Sequence, residues 1–255
     1  MQIDNVLFNE ILDRENQIKI IKNFLIEFYN SNKEELINRG LYIYGNPGCG
    51  KSLFVLNLLA DLGYDVIKYD SGDSNNKSII ESLSKYNISD TNVSSYFTNI
   101  KKKVVIVIDD IDTLSGNDKC GVNLLIKLIR NKKTQKQKLE GNSQLPIICI
   151  GNNDLDKKNK ELMKVCILCH IKMPTYTQIK TLLETVFKNI LIEDEFLSKL
   201  LNFIGSDMRK LNTIVNIVEK SNYNLDNHTI NNLLNISCNN SNVKSLTHKL
   251  FNGDY

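Results

Sequence analysis

The sequence predicts an α/β fold: a parallel sheet with flanking helices, followed by a small all-helical unit. Three observations predict it. Short apolar runs that suit buried strands alternate with stretches of helical period up to Met173. One such run, Leu41-Tyr42-Ile43-Tyr44, leads directly into a glycine-rich loop and then a helical stretch. Beyond Met173 the strand-like runs stop and only the helical period continues.

The elements follow in order. Residues 10–30 are read as one helix, because Ile11, Ile18, Ile21 and Leu25 recur near the helical period. Residues 41–44 suit a buried strand, 51–62 a helix and 66–69 a second strand. Residues 78–85 are read as a helix. Residues 104–108 are five consecutive β-branched residues ahead of an acidic pair, the clearest strand in the chain. A helix over 122–129 and strands over 147–150 and 165–173 complete the α/β part. Strands that are apolar throughout, rather than alternating, belong to a parallel sheet covered on both faces. From 177 to 220 the pattern gives three helices, with Gly205 between the second and third and Pro174 at the junction. The expected division is therefore 1–173, 174–220 and an asparagine-rich tail over 221–255, helical in two short pieces or partly disordered.

Composition sets limits. The chain has 255 residues, of which 42% are apolar, enough for a large core and incompatible with wholesale disorder. A net charge of +3 does not by itself argue for nucleic acid. No apolar run approaches the roughly 20 residues of a membrane span. Met1-Gln2-Ile3-Asp4-Asn5 does not read as the start of a secretory signal. The six cysteines are scattered, which suits reduced thiols in an intracellular compartment, cytoplasm or nucleus. The 35 asparagines and absent tryptophan suggest an AT-rich coding sequence, such as that of a large DNA virus.

Gly45-Asn46-Pro47-Gly48-Cys49-Gly50-Lys51-Ser52 fits the pattern G-x-x-x-x-G-K-[ST], placed between a strand and a helix. Glycines let backbone N–H groups turn inward around phosphates, and the helix N-terminus adds partial positive charge. Lys51 is expected to reach the β- and γ-phosphates of ATP, and the Ser52 hydroxyl to ligate Mg2+. The second half of such a site is a carboxylate at the end of a neighbouring strand. Asp109 supplies it as the expected Mg2+ ligand, and Asp110 as the group that deprotonates the attacking water.

Further motifs resemble those of the AAA+ ATPases, and most closely the large subunit of the replication factor C clamp loader. Leu62-Gly63-Tyr64 and Asp70-Ser71-Gly72-Asp73 sit where that family has a small-residue motif after its second strand. Asp109-Asp110-Ile111-Asp112 resembles its acidic box, and Gly121-Val122-Asn123 the helix start that follows. Pro146 to Asp154 resembles the strand carrying the sensor 1 asparagine, which makes Asn152 the catalytic candidate and Asn153 the alternative. Gly205-Ser206-Asp207-Met208-Arg209 resembles the sensor 2 motif, which implies that Arg209 closes over the phosphates. The resemblance implies ATPase activity, other AAA+ clamp-loader subunits, a sliding clamp and primed double-stranded DNA as partners, and no membrane.

Three departures matter. Asp110 stands where the family has glutamate, one methylene longer, and errors of about 1 Å in catalytic placement can cost roughly 100-fold. Lys164-Val165-Cys166 stands where small subunits carry the arginine that reaches a neighbouring site. The large subunit also lacks it, and Arg130 is the only substitute, with a solvated helix-end charge as the simpler reading. About 35 residues follow Lys220, too few for an ordinary collar domain. An initiator of the Orc/Cdc6 kind, or a helicase loader, is the alternative, supported by Asp13-Arg14-Glu15. A binding-only assembly switch is a third.

Cys166-Ile167-Leu168-Cys169-His170 matches a haem-attachment pattern. A strand there throws the two cysteines to opposite faces, which rules out haem and zinc alike. Cys49 inside the phosphate loop is read as an ordinary loop position rather than an oxidation-sensitive one. The lysines at 101–103, 132, 133, 136 and 138 are solvated loops or contacts to a DNA backbone.

Overall fold

Among the described residues, five parallel strands form one sheet in the order β2-β3-β4-β1-β5. The computed structural model describes residues 5–30, 38–70, 102–112, 119–130, 145–152, 157–187 and 194–220. The expected helix over 78–85, Asn153, the lysines beyond Arg130 and the tail from 221 lie outside the described residues. The elements are α1 (Asn5–Ile11), α2 (Glu15–Asn30), β1 (Gly40–Tyr44), α3 (Lys51–Asp61), β2 (Asp65–Asp70), β3 (Val104–Asp109), α4 (Lys119–Ile129), β4 (Ile147–Gly151), α5 (Lys157–Met163) and β5 (Ile167–His170). Then come α6 (Tyr176–Val186), α7 (Asp194–Ile204) and α8 (Met208–Lys220). The chain divides after Pro174 into two compact units.

The three central strands β1, β3 and β4 bury both faces, which is why they read as continuous apolar runs, whereas the edge strands β2 and β5 are partly exposed. Leu41, Ile43, Val105, Val107, Ile148, Ile150 and Cys169 join one core with Ile21 and Leu25 of α2 and Val55 and Leu59 of α3. Their alternates, Tyr42, Val104, Ile106, Ile108, Ile147 and Cys149, join a second core with Leu125 and Ile129 of α4 and Leu162 of α5. The period of two thus sorts each strand between two layers of helices. Buried Arg39 ties the start of β1 to its surroundings, donating from Nε to the Leu145 carbonyl at 2.8 Å and from Nη1 to that of Leu128 at 3.2 Å.

Three local differences from the sequence reading have physical causes. The single helix over 10–30 is two helices. Asp13 takes a left-handed conformation, φ 52°, and breaks the run between α1 and α2. Aspartate tolerates that region, and one reversed residue leaves little trace in the apolar period. Helix α5 was not read at all, because KKNKELM is short and charged, with Leu162 its buried anchor. The last strand is only four residues long. Cys166 packs in the second core and Cys169 in the first, so the two sulfurs lie on opposite faces. Among the described residues no group of three His, Cys, Asp or Glu is gathered as metal ligands. No helix among them is long and apolar enough to cross a membrane.

In the second unit α6 starts on a capping box. Gln178 N–H donates to Thr175 Oγ1 at 3.3 Å, and Thr175 N–H to Gln178 Oε1 at 2.9 Å. Gly205, at φ 58°, ends α7, and Asp207 Oδ1 then caps α8 by accepting the Arg209 N–H at 2.8 Å.

One packing contact gives a sharp prediction. A Cβ on Gly151 would run into the Tyr42 hydroxyl, which is itself buried without a hydrogen-bond partner among the described residues. Gly151→Ala is expected to cost about 1–3 kcal/mol in urea denaturation. Tyr42→Phe alone should be close to neutral, and should recover part of that loss in the double variant. Additive effects of the two changes would contradict this packing.

Candidate functional site

The C-terminal ends of β1, β3 and β4 share one edge of the sheet, and the phosphate loop rises from the first of them. Gly48 and Gly50 adopt φ 83° and 82°, where a side chain would be strained. A Cβ on Gly45 would press into the Ile171 carbonyl. The loop therefore wraps back tightly before α3 begins at Lys51.

Lys51 is buried and its ammonium is already fully held. Nζ donates to the carbonyls of Gly45 at 2.9 Å and Asn46 at 3.0 Å, and to Asn152 Oδ1 at 3.1 Å. The Ser52 hydroxyl donates to Asp109 Oδ1 at 2.8 Å. The same oxygen accepts the Asp110 N–H at 3.1 Å. The structure thus brings together Lys51, Ser52, Asp109 and Asn152, from three separate stretches of chain. The strand carrying Asp109 is not the neighbour of β1, however: β4 lies between them and brings Asn152.

Two supporting residues were given no role by the sequence: Asp112, named only as part of the acidic box, and Lys68. Asp112 accepts the Asn152 backbone N–H at 2.6 Å and the Asn159 side-chain amide at 2.9 Å. It fixes the end of β4, and with it the start of the Asn152 side chain. Lys68, on β2, has Nζ 2.8 Å from Asp70 Oδ1 and 3.3 Å from Asp109 Oδ2. The Asp70 carboxylate, helped by Asp109, raises the Lys68 ammonium above its ordinary range, against the lowering effect of partial burial.

Arg14 was legible only as part of an opening segment. It is 4% exposed, and Nη2 donates to the Cys49 carbonyl in the phosphate loop at 2.6 Å. Its guanidinium lies 5.0 Å from the Phe54 ring centroid and 5.9 Å from that of Phe8. Burial lowers it from its ordinary value to about 10, still charged at neutral pH. Its scarcity was the other signal, since the chain is poor in arginine. Cys49 itself is fully buried, and burial pushes its thiol up, opposed by Lys51 and Arg14. A buried, protonated thiol is not a redox-sensitive one.

The remaining candidates are exposed. Asp110 is exposed and takes φ 51°. Arg130 is exposed at the end of α4, as a helix-end charge would be. Arg209 is exposed near the start of α8, in the second unit. The donor set suits a hard cation: the Ser52 hydroxyl and the Asp109 carboxylate are adjacent oxygen ligands, the kind Mg2+ takes alongside phosphates and water.

Residues 41–173, more than half of the chain, match the ATPase family associated with various cellular activities (AAA). The chain belongs to this family. Within AAA ATPases it is similar to replication factor C large subunits. It is 22% identical to replication factor C subunit 1 of Saccharomyces cerevisiae over 87% of this chain and 27% of that protein. It is 26% identical to the replication factor C large subunit of Nanoarchaeum equitans over 79% of this chain and 43% of that one. It is 31% identical to a putative replication factor C large subunit of Acanthamoeba polyphaga mimivirus over 62% of this chain and 31% of that one. The chain thus spans less than half the length of these relatives.

The Arg14 bond gives a test. Arg14→Met keeps apolar bulk against Phe8 and Phe54 and removes the donor. A charge-assisted hydrogen bond is worth about 1.5–3 kcal/mol, so nucleotide affinity should fall roughly ten- to hundredfold while circular dichroism is unchanged. Titration with a fluorescent nucleotide reads this, and unchanged affinity would contradict a role in shaping the loop.

Proposed function

We propose that this chain is the ATP-binding module of a clamp loader, in the manner of a large subunit. It couples ATP binding and hydrolysis to the loading of a sliding clamp on primed DNA. The observation that carries this reading is the convergence of Lys51, Ser52, Asp109 and Asn152 on one sheet edge. The names of the relatives, and Val165 standing where a small subunit would have its arginine, support the large-subunit assignment.

On this reading the 45–50 loop cradles the phosphates of ATP with backbone N–H groups. Lys51 exchanges loop carbonyls for β- and γ-phosphate oxygens. Ser52 and Asp109 would hold Mg2+, which when bound spreads the negative charge of the transferring phosphoryl group. Asn152, held at its backbone by Asp112, orients the attacking water or the γ-phosphate, and Asp110 takes the proton. Arg209, contributed by a helical lid over 174–220, stabilises the γ-phosphate. A neighbouring AAA+ subunit supplies a further arginine, worth up to about 10³-fold or more in phosphoryl transfer. The partners are then other loader subunits, the clamp and the DNA backbone, wherever replication takes place: cytoplasm, nucleus or a viral replication compartment.

A second reading, a switch driven by binding with little hydrolysis, is favoured by Asp110. Its side chain is short and its backbone takes the left-handed conformation, φ 51°. ATP turnover separates the two. It is measured with the chain alone, and with primed DNA, clamp and small loader subunits from the same genome. The loader reading expects strong stimulation only in the full mixture. Turnover near zero in every mixture, raised by Asp110→Glu, would establish the switch instead.

A further inference from the structure

Asp70 and Asp109 are directly opposite each other in the β2–β3 ladder. Carboxylates in register on adjacent strands repel, and nothing in the β-strand pattern relieves them. Lys68 does. Residues two apart on a strand share a face, so Lys68 and Asp70 project together beside Asp109. The ammonium bridges both carboxylates, closer to Asp70 at 2.8 Å than to Asp109 at 3.3 Å. It approaches Asp109 through Oδ2, while Oδ1 is occupied by Ser52 and the Asp110 N–H. Asp109 is nearly buried, its side chain 9% exposed, whereas that of Lys68 is 36% exposed.

We propose that Lys68 is a tethered cation that neutralises Asp109 when Mg2+ is not bound, so that nucleotide enters this site with only weak dependence on Mg2+. This rests on reading the site as a Mg2+-nucleotide site. The triphosphate or diphosphate of an incoming nucleotide is anionic and would meet an uncompensated, poorly solvated carboxylate without this ammonium. The asymmetric bridge makes the device reversible. When a divalent cation takes Asp109, Lys68 keeps its shorter bond to Asp70 and loses only the longer one. Lys68 thus lowers the cost of Mg2+-free binding and slightly opposes the metal, both of which weaken the coupling between metal and nucleotide.

The test is the dissociation constant of fluorescent N-methylanthraniloyl-ADP, measured in EDTA and in excess Mg2+. For the native chain the ratio of the two should be small. Lys68→Gln should raise the ratio about tenfold, chiefly by weakening binding in EDTA, the scale of one part-buried ion pair. Lys68→Arg should keep the native ratio. In an Asp109→Asn background, Lys68→Gln should add little, because the charge it answers is gone. A Lys68→Gln ratio equal to the native one, in a variant that melts cooperatively, overturns the proposal and leaves Lys68 a purely structural clamp. Failure of the native chain to bind the nucleotide under either condition overturns the nucleotide site itself, a result distinct from an unchanged ratio.

Discussion

Placement of β4 between β1 and β3 is the constraint on which the site depends. The two parallel ladders that β4 makes put Tyr44, Asp109 and Gly151 near one edge of the sheet. A loop that starts from β1 can then deliver Ser52 to Asp109, two strands away, and Lys51 to Asn152, one strand away. Parallel strands present their C-terminal ends together, and ligands of open α/β sheets bind there. Gly151 has no side chain because the Tyr42 hydroxyl occupies that space, so even the spacing of the edge is a packing result.

Charge burial is the second theme. Lys51, Asp109 and Arg14 are all nearly buried, a cost that is met only by specific partners. Lys51 has three acceptors, Asp109 has two N–H or O–H donors and an ammonium, and Arg14 has a carbonyl and two aromatic faces. These bonds hold the polar groups in place before any ligand arrives. Preorganised dipoles of this kind are the main source of electrostatic stabilisation in phosphoryl transfer. Asp112 extends the same logic by one shell, holding the backbone of Asn152 rather than touching the chemistry.

Much of this was written in the sequence. The central strands β1, β3 and β4 were legible because they are buried on both faces and so are almost wholly apolar. The phosphate loop was legible because Gly48 and Gly50 have positive φ, a need that few residue types can meet. The order of the strands was not legible. Nothing local in Val104–Asp109 or Ile147–Gly151 says that the later strand lies between the earlier ones. The break at Asp13 and the helix α5 also escaped, one because a single residue reverses the chain, the other because a short, lysine-rich helix carries little apolar period. Arg14, Lys68 and Asp112 act through tertiary contacts 35, 41 and 40 positions away, at distances where spacing in the sequence carries no signal.

The central claim is that the loop at 45–52, Asp109 and Asn152 form one nucleotide site centred on Lys51. Isothermal titration of a slowly hydrolysed ATP analogue with Mg2+ into the purified chain tests it directly, with Lys51→Ala alongside. The account predicts one nucleotide bound per native chain and an affinity lower by roughly 100-fold or more in the variant. Equal affinities in the two proteins would contradict it.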